Sequence, residues 1–156
     1  MKTELIMVGR TVGKEFITLI DDYRERIVHY MPLSVTVIPE LKNTKSLSEE
    51  QQKTAEGELI LKQLQPSDSV VLLDEHGREP RSIELAHWLE QKRNMTRRLV
   101  FVIGGPYGFS EAVYQRANEK LSLSHLTFSH QMVRVIFLEQ IYRACTIIKR
   151  EPYHHE

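Results

Sequence analysis

Two segments of this 156-residue chain combine residue types and spacing suited to chemistry. The first, Leu99-Val-Phe-Val-Ile-Gly-Gly-Pro-Tyr-Gly-Phe109, runs from apolar residues straight into Gly104, Gly105, Pro106 and Gly108. A buried strand ending in such a turn offers main-chain amides and carbonyls at its tip, the shape of a ligand loop. The second, Leu121-Ser-Leu-Ser-His-Leu-Thr-Phe-Ser-His130, follows one short helical pattern and opens another helix. The two bends are expected side by side at one end of a parallel sheet, where open α/β folds bind ligands. Neither is a standard phosphate cradle. Gly104, Gly105 and Gly108 do not make G-x-G-x-x-G, and Gly13-Lys14-Glu15 lacks the glycine-rich approach and the Ser/Thr of a P-loop. A glycine-proline turn alone is ordinary chain reversal; its conjunction with the second segment sets it apart. Tyr107, at the tip, either stacks on a base or closes the turn.

The elements that must position these bends follow from periodicity. Thr3 to Val8 reads as a first strand, and Phe16, Ile17, Ile20, Tyr23, Ile27 and Tyr30 recur at helical intervals until Pro32 stops them. Leu33 to Ile38 is a second strand, 40–46 a polar loop, and Ser48 the N-cap of a helix to about Leu64. Ser69 to Leu73 is a third strand, ending at Asp74 and the turn Glu75-His76-Gly77; Ser82 caps the next helix, which ends near Asn94 before a fourth strand from Leu99. This alternation predicts a parallel α/β sheet with crossover helices, in a single domain spanning 1–156. The last helix, after Ser129, is apolar on two sides: Val133, Ile136, Phe137, Ile141, Ala144 and Ile148 on one, Met132, Val135, Leu138, Tyr142 and Cys145 on another. Such a helix is buried twice, and a homodimer is the preferred reading over a central helix inside a monomer.

Composition narrows the class further. Hydrophobic residues make up 41% of the chain, enough for one core. Cys145 is the one cysteine, which excludes an intramolecular disulfide or a cysteine-cluster metal site; on the apolar side of a helix it reads as packing. No metal is expected at His154-His155-Glu156, since adjacent histidines on a tail are a weak ligand set. Met1 to Gly9 is too short and too charged for a secretory signal, and no apolar run approaches membrane-spanning length. A soluble cytoplasmic protein with no membrane partner is the expectation. Formal net charge is zero, yet residues 92–150 hold ten Lys/Arg against three Glu, while the first 91 hold eleven against sixteen acids. That basic second half is modest for gripping free RNA through phosphates.

Four blocks carry a resemblance: Phe-Val-Ile-Gly-Gly-Pro-Tyr-Gly-Phe-Ser at 101–110, Leu-Ser-Leu-Ser-His-Leu-Thr-Phe-Ser-His-Gln-Met-Val-Arg at 121–134, Leu-Glu-Gln-Ile-Tyr-Arg-Ala at 138–144 and Glu-Pro-Tyr-His at 151–154. With this spacing the chain resembles the ribosomal RNA large subunit methyltransferase H family over its whole length. The resemblance implies the SPOUT fold, a parallel α/β sheet with a C-terminal trefoil knot, usually as a homodimer. It implies transfer of a methyl group from S-adenosylmethionine to N3 of a pseudouridine in large-subunit (23S) ribosomal RNA. The cofactor-binding positions it implies are Leu73, Gly105, Ser124, His125, Leu126, Thr127, Phe128 and Ser129, acting largely through main chain; Ser129 stands where the family commonly places proline. The polar positions it implies near the chemistry are His130, Glu139, Arg143, Tyr153 and His154, with Arg134 as an RNA contact.

These positions carry physical expectations of their own. Glycine lets main chain approach a ligand, and loop amides can read an adenine edge without charged side chains. At roughly 100° per residue, His130 and Arg134 share one side of the last helix, while Glu139 and Arg143 lie nearly opposite. One helix does not aim both pairs into one pocket, so a site built from two chains is expected, with Tyr153 and His154 from the partner. Assembled ribosomes are the expected substrate rather than naked RNA. The competing reading is a catalytically silent RNA-binding or ribosome-associated module of the same fold.

Overall fold

A computed structural model describes residues 1–156. Five strands, β1 (Lys2–Val8), β2 (Leu33–Ile38), β3 (Ser69–Arg78), β4 (Arg98–Ile103) and β5 (Glu119–Leu121), form one parallel sheet in the order β2-β1-β4-β3-β5. Five helices connect or follow them: α1 (Lys14–Val28), α2 (Glu49–Lys62), α3 (Ser82–Met95), α4 (Glu111–Arg116) and α5 (Met132–Ile148). The central strands are apolar on both sides because both sides are covered. Leu5, Met7, Phe101 and Ile103 face the layer of α1, α3 and α5, whereas Ile6, Val8, Val100 and Val102 face α2 and α4. No helix is long and apolar enough to cross a membrane.

Local signals place most element ends. Ser48 accepts the Gln51 amide at 3.0 Å, and the Gln51 side chain accepts from the Ser48 amide at 2.9 Å, a reciprocal cap that fixes the start of α2. In α3 the expected cap is displaced by one residue. Arg81 holds the extended cap conformation, its amide donates to Glu84 at 2.9 Å, and Ser82 is the first helical residue. The 40–46 segment contains a turn of 3₁₀ helix at Thr44–Ser46, entered through Asn43 in the left-handed region.

Three differences from the sequence reading bear on the site. Strand β3 does not stop at Leu73: after a register irregularity it pairs again at Arg78 with Leu121, carrying the chain along β5. Gly77 is needed there, since a Cβ would lie 2.6 Å from the amide nitrogen of Leu121. The bends after β4 and β5 are not adjacent in the sheet, because β3 runs between them and its own end becomes a third wall. The breadth of α5 is also largely met within the chain. Phe137, Leu138, Ile141, Ala144 and Cys145 are buried in the layer where α5 packs between α1 and α3. Burial pushes the Cys145 thiol up to about 11, as suits a packing residue.

Candidate active site

A cavity of about 470 Å³ opens at the C-terminal ends of β3, β4 and β5. One wall is the glycine turn. The Gly108 amide donates to the Gly105 carbonyl at 3.2 Å, and Gly108 has φ +83°, which closes the bend tightly. Ser110 then accepts the Val113 amide at 3.3 Å and starts α4. The second wall is 121–128, strapped to β3 by the Ser122 amide on the Arg78 carbonyl at 2.8 Å and shaped by the Leu126 amide on Ser124 Oγ at 3.0 Å. The third wall is the end of β3, where Leu73 gives way to Asp74. The Asp74 carboxylate accepts from the Tyr114 hydroxyl and from the His76 amide, the latter at 2.8 Å.

Leu73, Gly105, Ser124, Leu126, Thr127 and Phe128 all border this cavity, and so does His130. His125 does not turn inward: its side chain is 88% exposed, with Nε2 3.4 Å from Glu79. Ser129 serves α5 instead, accepting the Met132 amide on Oγ at 3.2 Å and the Val133 amide on its carbonyl at 3.0 Å.

The remaining polar positions gather elsewhere. Glu139 Oε1 accepts from Arg143 Nη2 at 2.6 Å and from the Tyr153 hydroxyl at 3.1 Å, while Arg143 Nη1 lies 3.1 Å from His154 Nδ1. The chain after α5 folds back over its own helix, with the Tyr153 ring edge-on to Tyr142 and the Tyr30 hydroxyl donating to Glu151 at 2.6 Å. Burial and the Glu139 charge push Tyr153 up to about 12, so its hydroxyl is a donor at neutral pH and no base. Along α5, the cavity-lining Val133 is separated from Glu139 by about 9 Å and from Arg143 by about 15 Å at 1.5 Å per residue. The cavity and this cluster are therefore two places, not one.

Comparison with known proteins identifies the lineage. The family model described as predicted SPOUT methyltransferase matches residues 1–154. Proteins named ribosomal RNA large subunit methyltransferase H are 64% identical in Bacteroides fragilis and in Bacteroides thetaiotaomicron, over 100% of this chain and of each relative. One from Porphyromonas gingivalis is 53% identical, again over 100% of both chains. The chain belongs to the ribosomal RNA large subunit methyltransferase H family.

As a member of that family, this chain departs from a further site expectation, besides His125 and Ser129, which do not line the cavity. Arg134 is not an RNA contact on its own surface. It is 2% exposed, and its guanidinium donates to the Val8 carbonyl and to Thr11 Oγ1, both at 3.0 Å, tying α5 to the end of β1. A side chain leaving the first turn of a helix that points at the sheet is swallowed by the fold, and residue type alone does not reveal this. Asp74 and Tyr114 also border the cavity, outside the expected positions, and the run Val-Val-Leu-Leu-Asp is a readable sign of a carboxylate at the end of a buried strand. Glu56, beneath the glycine turn, had no sign at all.

Proposed function

We propose that this chain methylates N3 of a pseudouridine in large-subunit (23S) ribosomal RNA, using S-adenosylmethionine, on assembled ribosomes in the cytoplasm and as a homodimer. The carrying observation is the cavity itself: three strand-end bends, separated in sequence, meet around one space of about 470 Å³, a size typical of ligand pockets. The residues present suit the donor. Leu73, Ile103 and Leu121 offer apolar walls for an adenosine, the glycine turn and 122–127 offer main chain, and Asp74 and Glu75 place carboxylates beside a ligand that is cationic.

When bound, S-adenosylmethionine supplies an electrophilic methyl group on a sulfonium sulfur. The chain's own tasks are to align the accepting nitrogen and to receive its proton. His130, at the cavity, is the proposed proton acceptor. Glu139, Arg143, Tyr153 and His154 present a fixed row of donors and acceptors suited to a nucleobase and its backbone. Since this row starts about 9 Å along the helix from the cavity-lining Val133 and reaches Arg143 at about 15 Å, the partner's row completes each site. Leu126, which borders the cavity, and Val12 and Met132, near the Val12–Gln131 hydrogen bond, are exposed and offer apolar surface for that partner to cover. The trefoil knot belongs to the same proposal. It is supported by the pairing of Arg78 with Leu121, which seats 77–78 closely against 120–122, and by α5 lying beyond that contact, between α1 and α3.

Transfer of labelled methyl groups from S-adenosylmethionine to assembled ribosomes and to naked ribosomal RNA, followed by mapping of the modified base, tests the reading. Incorporation at a pseudouridine, with ribosomes far better substrates than naked RNA, is the expected result; donor binding without any transfer would leave a silent RNA-binding module. The shared site has its own test. Because Arg143, Tyr153 and His154 now form one unit, pairing an Arg143→Ala chain with a Tyr153→Ala chain spoils both sites. Pairing His130→Ala with Arg143→Ala leaves one site intact in each mixed dimer, and since random exchange makes about half of the dimers mixed, about a quarter of the activity should return on mixing. No recovery there refutes sharing.

A further inference from the structure

Glu56 lies on α2, outside the cavity, and no step described so far uses it. It is 5% exposed; Oε2 accepts from Gln52 Nε2 at 3.2 Å, and Oε1 has no partner. Its place is fixed from two sides. A Cβ on Gly57 would lie 2.4 Å from Ser110 Oγ, so α2 is seated against the start of α4 with nothing between. A Cβ on Gly105 would lie 2.6 Å from Glu56 Oε1, so the carboxyl group rests directly against the main chain of the glycine turn.

A buried carboxylate with a vacant oxygen is costly, and natural interiors rarely keep one without a compensating charge. Burial pushes its pKa up, and of the surrounding ionisable side chains His130 is the one whose charge draws it back. The compensating charge fits the chemistry on the other side of the turn. The methyl donor carries a sulfonium, whereas S-adenosylhomocysteine, left after transfer, is the same molecule with a neutral thioether. We infer that Glu56 is a discriminating residue: its carboxylate, set behind Gly105, favours the cationic donor over the neutral product and so helps the spent cofactor leave. The inference rests on the proposed use of S-adenosylmethionine in this cavity. It also gives a reason for glycine at 105 beyond turn geometry, because any side chain there would part the charge from the ligand wall.

Calorimetry of S-adenosylmethionine and S-adenosylhomocysteine on the full-length chain and on Glu56→Gln tests it. The variant keeps the shape and the Gln52 contact but removes the charge. Donor affinity should fall about tenfold while product affinity stays within about twofold, as a point charge acting through a low-dielectric wall requires. Equal loss of both ligands, or no loss of either, overturns the inference and leaves the cavity's assignment standing. Absence of binding of either ligand to the unaltered chain overturns that assignment instead. If Glu56→Gln does not melt cooperatively, Glu56→Asp, which keeps the charge, should retain the donor preference; a folded Glu56→Asp without it has the same overturning force.

Discussion

At the N-terminal end of α5 the chain meets its cavity with glycines, hydroxyls and apolar walls, whereas at the C-terminal end Glu139, Arg143, Tyr153 and His154 hold one another by charged and hydroxyl side chains. The contrast separates two kinds of work. On the proposed reading, a cofactor of fixed shape is to be gripped by main chain whose position the strands dictate. A nucleobase that arrives and leaves needs donors and acceptors that remain oriented while the site is empty. One helix carries both, the cavity at its start and the polar row from its middle onward, and under the proposed function this spacing is the reason for a second chain.

The strongest way to break the contrast is Arg143→Ala, which strips Glu139 and His154 of their shared partner. Methyl transfer should drop by about two to three orders of magnitude with donor affinity unchanged, read by turnover beside calorimetry. A matching fall in donor affinity would merge the two ends into one site. Arg134→Ala should leave the chemistry of both ends in place but loosen their common helix. We expect a loss of about 3 kcal/mol in chemical denaturation, from two buried charge-assisted bonds, and no change in the salt dependence of ribosome binding.

Gly105→Ala sharpens the cavity side. The new methyl group meets Glu56, so the turn or α2 must shift; about 2 kcal/mol of overpacking corresponds to roughly thirtyfold weaker donor binding. On the other side, Tyr153→Phe removes one hydrogen bond to Glu139, worth about 1 kcal/mol, and should slow transfer about fivefold without touching donor affinity. The smallest effect concerns pH. Tyr30, through its bond to Glu151, and Tyr153, through burial and Glu139, are both raised from 10.0 to about 12. Their protonated forms favour the docked tail, so that contribution is complete below about pH 10 and is lost as pH rises through about 12. Phenolate absorbance should show these two titrating late, and truncation after Lys149 should abolish the delay for Tyr30.

The alternation of β and α was legible because each central strand is a short apolar run bounded by turn residues, and the cap at Ser48 uses a side chain that acts locally. The cavity residues were legible by resemblance, and the glycine turn by its residues. The continuation of β3 to Arg78 was not, because Asp-Glu-His-Gly-Arg has neither strand composition nor alternation; pairing with β5 overrides propensity there. Arg134 misled because a basic residue on a helix near an RNA site has the same letter whether it faces solvent or the Val8 carbonyl.

By itself the sequence determined most of the elements, the end of β3 and the whole of β5 excepted, together with their parallel arrangement and the four blocks that mark the family, since these depend on local periodicity and on residue identity. The tertiary structure alone decided that β3 runs between the two bends, that Glu56 lies against Gly105, and that the tail folds onto Glu139 and Arg143. Each of those is a meeting of residues far apart in the chain, set by sheet order and close packing, which no local pattern encodes.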